Sequence, residues 1–240
     1  FERIEKEISV SFLPNPEKAA KASIKLKEGA ENLGWKNMEV PRWFKFINGN
    51  DGIKQSMTRT YVKWYLDNGG ELLSNQKAIK LKRSGDRWIV FHKNSLNGEI
   101  SKINARYVFL CGGAISTPFL LRSSGIKKNI GNTLQMHPTV KVVSEFDEII
   151  NFKNMGVPVH QVKEFSPRIS IGCSISSKKH LALAMLDNSK YLNKVENNWE
   201  KMAIYYAMII PEGRGSIRKL PFFNDPFVQF RLSNKDLINL

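Results

Sequence analysis

Cysteine, histidine and acidic residues are scarce in this chain, and each shortage removes a class of function. Two cysteines in 240 residues cannot build the disulfide framework of a small secreted domain. Cys111 lies in an apolar run and Cys173 in the alternating segment RISIGCSIS, positions that predict small core residues rather than redox or metal groups. The four histidines, His92, His137, His160 and His180, are too dispersed for a metal site, and no CxxC, HxxH or HExxH occurs. No apolar run approaches the roughly 20 residues that a membrane-spanning helix requires. The chain starts at Phe1 without the basic, apolar and small-residue sections of a signal peptide. The expectation is a cytoplasmic protein of which this is a segment.

Acidic residues number 22 against 37 basic ones, a net charge of +15. One reading is a non-catalytic binding module for nucleic acid or anionic membrane. The other is a Lys- and Asn-rich composition spread over a globular surface. The lysines are scattered and no run of five basic residues occurs, which favours the second reading and no specific nucleic-acid partner. Peripheral contact with a membrane stays open. What the chain has in quantity is core material, with 42% hydrophobic residues and 14 Phe, enough for one large domain or parts of two.

Along the chain, PEKAAKASIKLKEGAENLGW predicts a helix with Asn15 as N-cap and Pro16 in its first position, closed by Leu33-Gly34-Trp35. VPRWFKFINGNDG reads as a loop with turns at Asn48-Gly49 and Asp51-Gly52. A second helix is expected in SMTRTYVKWYLDNGG, where Met57, Tyr61, Trp64 and Tyr65 fall near helical spacing and Asn68-Gly69-Gly70 ends it. ELLSNQKAIKLKRSG predicts a short strand, a bend and a strand, and further strands follow around a turn at Asn97-Gly98. This order suggests an α/β domain with an inserted antiparallel ribbon.

From His137 onward the segments TVKVVSEF, RISIGCSIS, AIYYAMII, GSIRKL and FVQFRLS are β-rich, with one helix expected between Ser189 and Lys201. They predict an antiparallel sheet carrying a helix. Gly213-Arg214-Gly215 begins like GxGxxG, but Arg218 takes the third glycine position, so a hairpin turn is expected. SNKDLINL offers Ser233 as N-cap with Asp236 three residues on, an acidic variant of the capping box. The helix it announces stops within two turns, as expected of a truncated chain.

The stretch YVFLCGGAISTPFLLRSSGI carries the functional question. Tyr107 to Leu110 reads as a strand covered on both faces. Gly112 and Gly113 would let a ligand or another backbone approach. Ser116 or Thr117 could cap a helix with Pro118 in its first turn, and Gly125 would end it. Free helix N–H groups at a strand end suit an anionic or electron-rich cofactor. Tight strand–helix packing without a ligand would use the same glycines.

GAISTPFLLRSSGI resembles the second signature of the glucose–methanol–choline (GMC) oxidoreductases. Gly113, Ala114, Thr117, Pro118, Leu120, Leu121, Ser124, Gly125 and Ile126 match it, and only Lys127 departs, where the pattern has Gly. GIKQSMTRTYVKWYLDNGGELLSNQKAIKL, IGNTLQMHPTVKVV and IIPEGRGSIRKLPFFNDPFVQFRLSNKDL are similar to further segments of that family.

The resemblance implies a Rossmann-like FAD-binding segment of GMC type plus an α+β substrate domain with an antiparallel sheet. It divides the chain into a cap-side segment at 1–51, part of the FAD domain at 52–136, and a truncated substrate domain at 137–240. It implies FAD held along Gly112, Gly113, Ala114 and Thr117, with an adenine-side contact near Ala78, where the family often has Val. The implied chemistry is oxidation of an alcohol (a sugar, a choline-like or a long-chain alcohol) by general-base removal of the hydroxyl proton and hydride transfer to flavin, with an unassigned electron acceptor. The family's GxGxxG unit would precede Phe1 and its catalytic histidine would follow Leu240, so no catalytic residue is expected here. His137, in QMHP, is expected to be structural, at a domain junction.

Overall fold

The computed structural model describes residues 1–153 and 156–239. In chain order its first elements are α1 (Glu2–Glu7), β1 (Val10–Ser11), α2 (Lys21–Asn32), β2 (Asn37–Glu39), β3 (Arg42–Asn48), β4 (Asp51–Lys54) and α3 (Tyr61–Asp67). Then come β5 (Gln76–Ser84), β6 (Arg87–Asn94), β7 (Ile100–Ala105), α4 (Gly113–Ser123), β8 (Thr139–Glu145), β9 (His160–Val162) and β10 (Ile169–Cys173). The last are α5 (Lys178–Ala184), α6 (Leu192–Asn198), β11 (Met202–Ile209), β12 (Ser216–Arg218), β13 (Phe227–Gln229) and α7 (Asn234–Asn239). They divide into two units, Phe1–Gly69 with His137–Ile210, and Gly70–Met136 with Pro211–Asn239. Every strand pairing among the described residues is antiparallel. None of their helices is long and apolar enough to cross a membrane.

The first unit is built on a five-stranded sheet in the order β2-β9-β10-β11-β8. Successive residues of a strand face opposite ways, and β11 shows why this sheet needs cover on both sides. Ala203 packs in a cluster with Ala20, Ala22, Ile150 and Cys173, on the α2 side. Its neighbours Met202 and Ile204 join Leu181 of α5 and Val195 of α6 in a second cluster. Small residues bring α2 close: Ala22 and Ser23 are wholly buried, and Tyr205 donates its hydroxyl to the Ala22 carbonyl at 2.9 Å.

Ser23 Oγ accepts the N–H groups of Val159 and His160, both at 2.9 Å, and lies 3.1 Å from His160 Nδ1. With both acceptor sites filled, the hydroxyl donates to Nδ1, which fixes His160 as a neutral ring. Burial lowers its pKa. Cys173 is buried as expected, and burial pushes its thiol up to about 12, which leaves it unreactive.

Several expectations for this unit are corrected. The helix does not start at Asn15. Pro16–Lys18 form a 3-10 turn, Ala19 is extended (ψ 164°), and α2 starts only at Lys21. Ala19 and Ala20 are buried there, so tertiary packing overrides their helix propensity. The expected loop at 40–52 is the β3–β4 hairpin, in which half-buried and exposed residues alternate along β3. The helix expected between Ser189 and Lys201 is α6 flanked by 3-10 turns, and α5 precedes it unannounced. His137 donates from Nδ1 to the Ile209 carbonyl at 3.3 Å.

The second unit holds the sheet β5-β6-β7, the hairpin β12–β13, and helices α4 and α7. Only one strand, β5, forms in the 71–84 region, where two were expected; residues before Gln76 are irregular. The β6–β7 turn falls at Gly98 (φ +77°) as its sequence signal suggests. Ser233 and Asp236 form the reciprocal capping box: Ser233 N donates to Asp236 Oδ2 at 2.8 Å, and Asp236 N to Ser233 Oγ at 3.1 Å. Asp236 also accepts the N–H groups of Glu212 (2.7 Å) and Gly213 (2.9 Å). Burial pushes its pKa up, but these donors outweigh burial and hold the carboxyl down to about 2.

Candidate functional site

Helix α4 and strand β5 form the frame on which the glycine turn sits. The helix ends in a Schellman motif: Ile126 N donates to the Leu121 carbonyl at 3.0 Å, Gly125 N to that of Arg122 at 3.1 Å, and Gly125 takes φ +87°. One residue earlier, Ser124 Oγ receives the N–H of buried Leu81 at 2.8 Å and donates to the Leu120 carbonyl at 2.7 Å. The serine of the motif therefore docks the helix on the strand, and the glycine ends it.

The other end of α4 is open. Gly112 is the N-cap, with no side-chain capping bond, and α4 begins at Gly113. This corrects the expectation that Ser116 or Thr117 caps the helix; both lie inside it, and Pro118 is its sixth residue. The first N–H groups of an α-helix have no intrahelical partner, and here no side chain of the described residues takes them.

The two glycines have different reasons to be glycine. A Cβ on Gly112 would sit 3.3 Å from Thr117 Oγ1 and 3.4 Å from Ser116 Cβ, so that position is crowded by its own helix. Gly113 has φ +77° and nothing within 4 Å of the Cβ position, a conformation that L side chains avoid beside space the protein leaves empty.

The segment leading into the turn departs from expectation. Tyr107 to Leu110 is not a strand covered on both faces; it lies outside any strand, with Tyr107 79% and Phe109 88% exposed. Cys111 continues that exposed face and is no core residue. A strand interior needs a partner at long range, and no described strand pairs with this run.

Ala78 lies on β5 opposite His92, beside a bulge at Ile79. It is exposed. It stands three residues, about 10 Å, along the strand from the docking bond at Leu81, while the glycine turn stands roughly 16 Å along α4 from it. Gly112, Gly113 and Ala114 thus come together with Thr117 at one helix end, and Ala78 is a separate point on the same frame.

A feature not singled out from the sequence completes the helix end. A cavity of about 170 Å³ is lined by Ala114, Pro118, Gly131, Thr133, Leu134, Gln135 and Ile217. Its floor is tied by Ile217 N to the Gly131 carbonyl (2.8 Å), Leu134 N to the Gly215 carbonyl (3.0 Å) and Gly215 N back to that of Leu134 (2.7 Å). Gly213-Arg214-Gly215 is therefore the approach to β12 rather than a hairpin turn, and the hairpin itself turns between Arg218 and Phe227. The signal available in the sequence was Gly131-Asn132, a glycine with φ +67° beside a turn residue.

The frame can therefore offer an uncapped helix end, a glycine beside empty space and an adjoining small cavity to an electron-rich ligand. Among the described residues no cluster of His, Cys, Asp and Glu could hold a metal ion.

Comparison with known proteins agrees with the motif. A GMC-type oxidoreductase of Sinorhizobium fredii is 32% identical over 252 aligned positions, which cover 100% of this chain and 50% of that protein. The long-chain-alcohol oxidase FAO3 of Arabidopsis thaliana is 30% identical over 51% of this chain and 19% of its own length. A probable malate:quinone oxidoreductase of Corynebacterium jeikeium is 27% identical over 68% of the chain and 31% of its own. The chain thus spans half the length, or less, of these curated relatives. A solved flavoprotein/dehydrogenase from Cytophaga hutchinsonii aligns with 84% of the chain and 46% of its own at 12% identity and a TM-score of 0.34, too loose a likeness to carry an argument. The sequence profile described as GMC oxidoreductase matches residues 1–139, more than half the chain, and with the signature on α4 this places the chain in the GMC oxidoreductase family.

Proposed function

We propose that this chain forms part of a flavoenzyme that oxidises the CH–OH group of an alcohol, and that its share of the work is to hold FAD. Gly112, Gly113, Ala114 and Thr117 would line the cofactor at the open end of α4, with Ala78 as an outer contact on β5. Gly113 is the observation that carries this reading: a positive φ at an uncapped helix end, with no described neighbour outside its own helix backbone within 4 Å of where a Cβ would stand. Packing alone accounts for Gly112, which faces Thr117. Packing does not account for Gly113, whose positive φ opens on space.

Bound flavin would supply the hydride acceptor for the alcohol carbon. The chain's own residues contribute position. The free N–H groups of α4 would face the electron-rich edge of the ligand, and the Ser124–Leu81 bond would keep the helix from sliding on β5. His137 is engaged with the Ile209 carbonyl, and this reading gives none of the chain's histidines the role of base. The alcohol class follows the family, and the long-chain-alcohol oxidase among the relatives favours a substrate with an apolar chain over a sugar.

The test is Gly113→Val in the complete protein, with Gly113→Asn beside it. Asparagine tolerates positive φ, so it fills the space with less backbone strain. Both variants should lose flavin absorbance per folded molecule, while Leu120→Ala, which thins packing on the same helix, should keep it. A full flavin complement in Gly113→Asn would mean that the glycine serves the backbone alone.

A further inference from the structure

We propose that the second unit carries an oxyanion site, distinct from the glycine turn, in the cleft between the Gly131–Gln135 loop and the β12–β13 hairpin. The cleft measures about 260 Å³ and is lined by Asn132, Arg214, Gly215, Ser216, Gln229 and Arg231. Every side chain in that set can donate a hydrogen bond, two are guanidinium groups, and none is a carboxylate.

Two acids close to it in sequence, Asp236 and Glu212, are already committed. Asp236 is taken up by the N–H groups of Ser233, Glu212 and Gly213, and Glu212 is paired with Lys235. Two positive charges therefore share one opening without a counter-charge from its walls. An anion seated in the cleft would gain charge-assisted hydrogen bonds from them.

The site is also built rather than improvised. Arg214 Nη1 donates to the carbonyls of Pro211 (3.0 Å), Glu212 (3.1 Å) and Gly213 (3.1 Å), which pins one corner of its fork. The loop that holds it is fixed in turn by Asp236 on one side and by the Leu134–Gly215 pair on the other. Ser216 and Gln229 are direct partners across the hairpin. An arginine fork held at one corner presents its remaining N–H groups in a fixed plane, the geometry that phosphate and carboxylate oxygens accept.

The cleft has room for such a group and the carbons attached to it. It lies beside the cavity at Ala114, since Asn132 follows Gly131 and Ser216 precedes Ile217. The ligand class is a small molecule bearing a phosphate or carboxylate group. The assignment stands independently of the flavin reading, because none of the expected flavin contacts lines this cleft.

The experiment is a titration of the purified chain at low ionic strength with inorganic phosphate and with succinate, followed by calorimetry or amide NMR shifts. Vesicles of phosphatidic acid and of phosphatidylcholine form a separate arm. Saturable binding to a soluble anion is expected, weakened about tenfold by Arg214→Gln and by Arg231→Gln, and unchanged by Lys27→Gln on α2. Arg231→Lys, which keeps charge but loses the fork, should recover only part of the affinity. Arg231 is exposed and lies outside the pinned loop, so its variant should fold even where Arg214→Gln disturbs the turn. Arginine-dependent binding confined to phosphatidic acid vesicles would keep the site and assign it a lipid headgroup. Binding that both arginine variants retain in full, or no arginine-dependent binding in any arm, would overturn the proposal.

Discussion

Ser123 ends α4 and Ser124 caps it, and removal of the two hydroxyls should affect stability differently. Ser124 Oγ satisfies the N–H of Leu81 at 2.8 Å and returns its own proton to the Leu120 carbonyl at 2.7 Å. Leu81 is 4% exposed, so Ser124→Ala strands a donor that water cannot easily reach. An unsatisfied buried donor costs about 1–3 kcal/mol. Ser123 Oγ is buried too, but it has no hydrogen-bond partner among the described residues. Its desolvation is already suffered without return, so Ser123→Ala should be neutral or stabilise by up to ~1 kcal/mol. The two single-atom deletions should therefore differ by at least ~1 kcal/mol. At roughly 2–4 °C per kcal/mol for 150–250 residues, that gap is visible in a melting curve. Urea titration with unchanged m-values should place it in the native state, and faster hydrogen exchange at the Leu81 amide should locate it. Equal loss from both variants would show that volume, not the hydrogen bond, holds the helix to the strand.

Gly172→Ala should destabilise the first unit by about 1–3 kcal/mol, because a methyl there would overlap the Tyr206 ring across the β10–β11 pair; Tyr206→Phe beside it should not rescue, since ring carbons also lie in the way. Stability of the same unit should fall as the pH drops below the ordinary histidine value of 6.5. His160 has a lowered folded pKa, so below 6.5 the unfolded chain takes up the proton first and the native state loses ground until its own pKa is reached. His160→Gln should flatten that part of the stability–pH curve, and a wild-type curve already flat from pH 7 to 5 would refute the neutral-ring assignment.

The features read correctly from the sequence are those decided within a few residues. Gly98, Gly125 and the Ser233–Asp236 box each act through bonds to near neighbours, so composition and spacing suffice to place them. The misread features depend on distant partners. Ala19 and Ala20 leave the helix because they are buried, Ala20 in the cluster with Ala203 of β11, and nothing local announces it. The β3–β4 hairpin was legible in principle: Arg42, Phe44 and Phe46 alternate with Trp43 and Lys45 along β3, but the Asn48-Gly49 turn signal drew the whole stretch into a loop. Tyr107 to Leu110 fails in the opposite sense. Its apolar run satisfies the rule for a covered strand, yet cover is a property of other segments and cannot be read from the run itself.

The glycine pair makes the same point about the site. In the sequence Gly112 and Gly113 are indistinguishable, and either could serve packing or a ligand. Backbone geometry separates them, because one would press a Cβ against Thr117 while the other turns a positive φ toward open space. Ser124 divides in the same way from Ser123, one bonded to Leu81 and the other without a partner among the described residues. The family signature is thus two devices joined by one helix. Its C-terminal half fixes the helix on β5 through Ser124 and stops it at Gly125, and its N-terminal half, Gly113 and Ala114, leaves an end free. Fixing one end is what gives the free end a defined position, so a variant that loosens Ser124 should also blur whatever the open end holds.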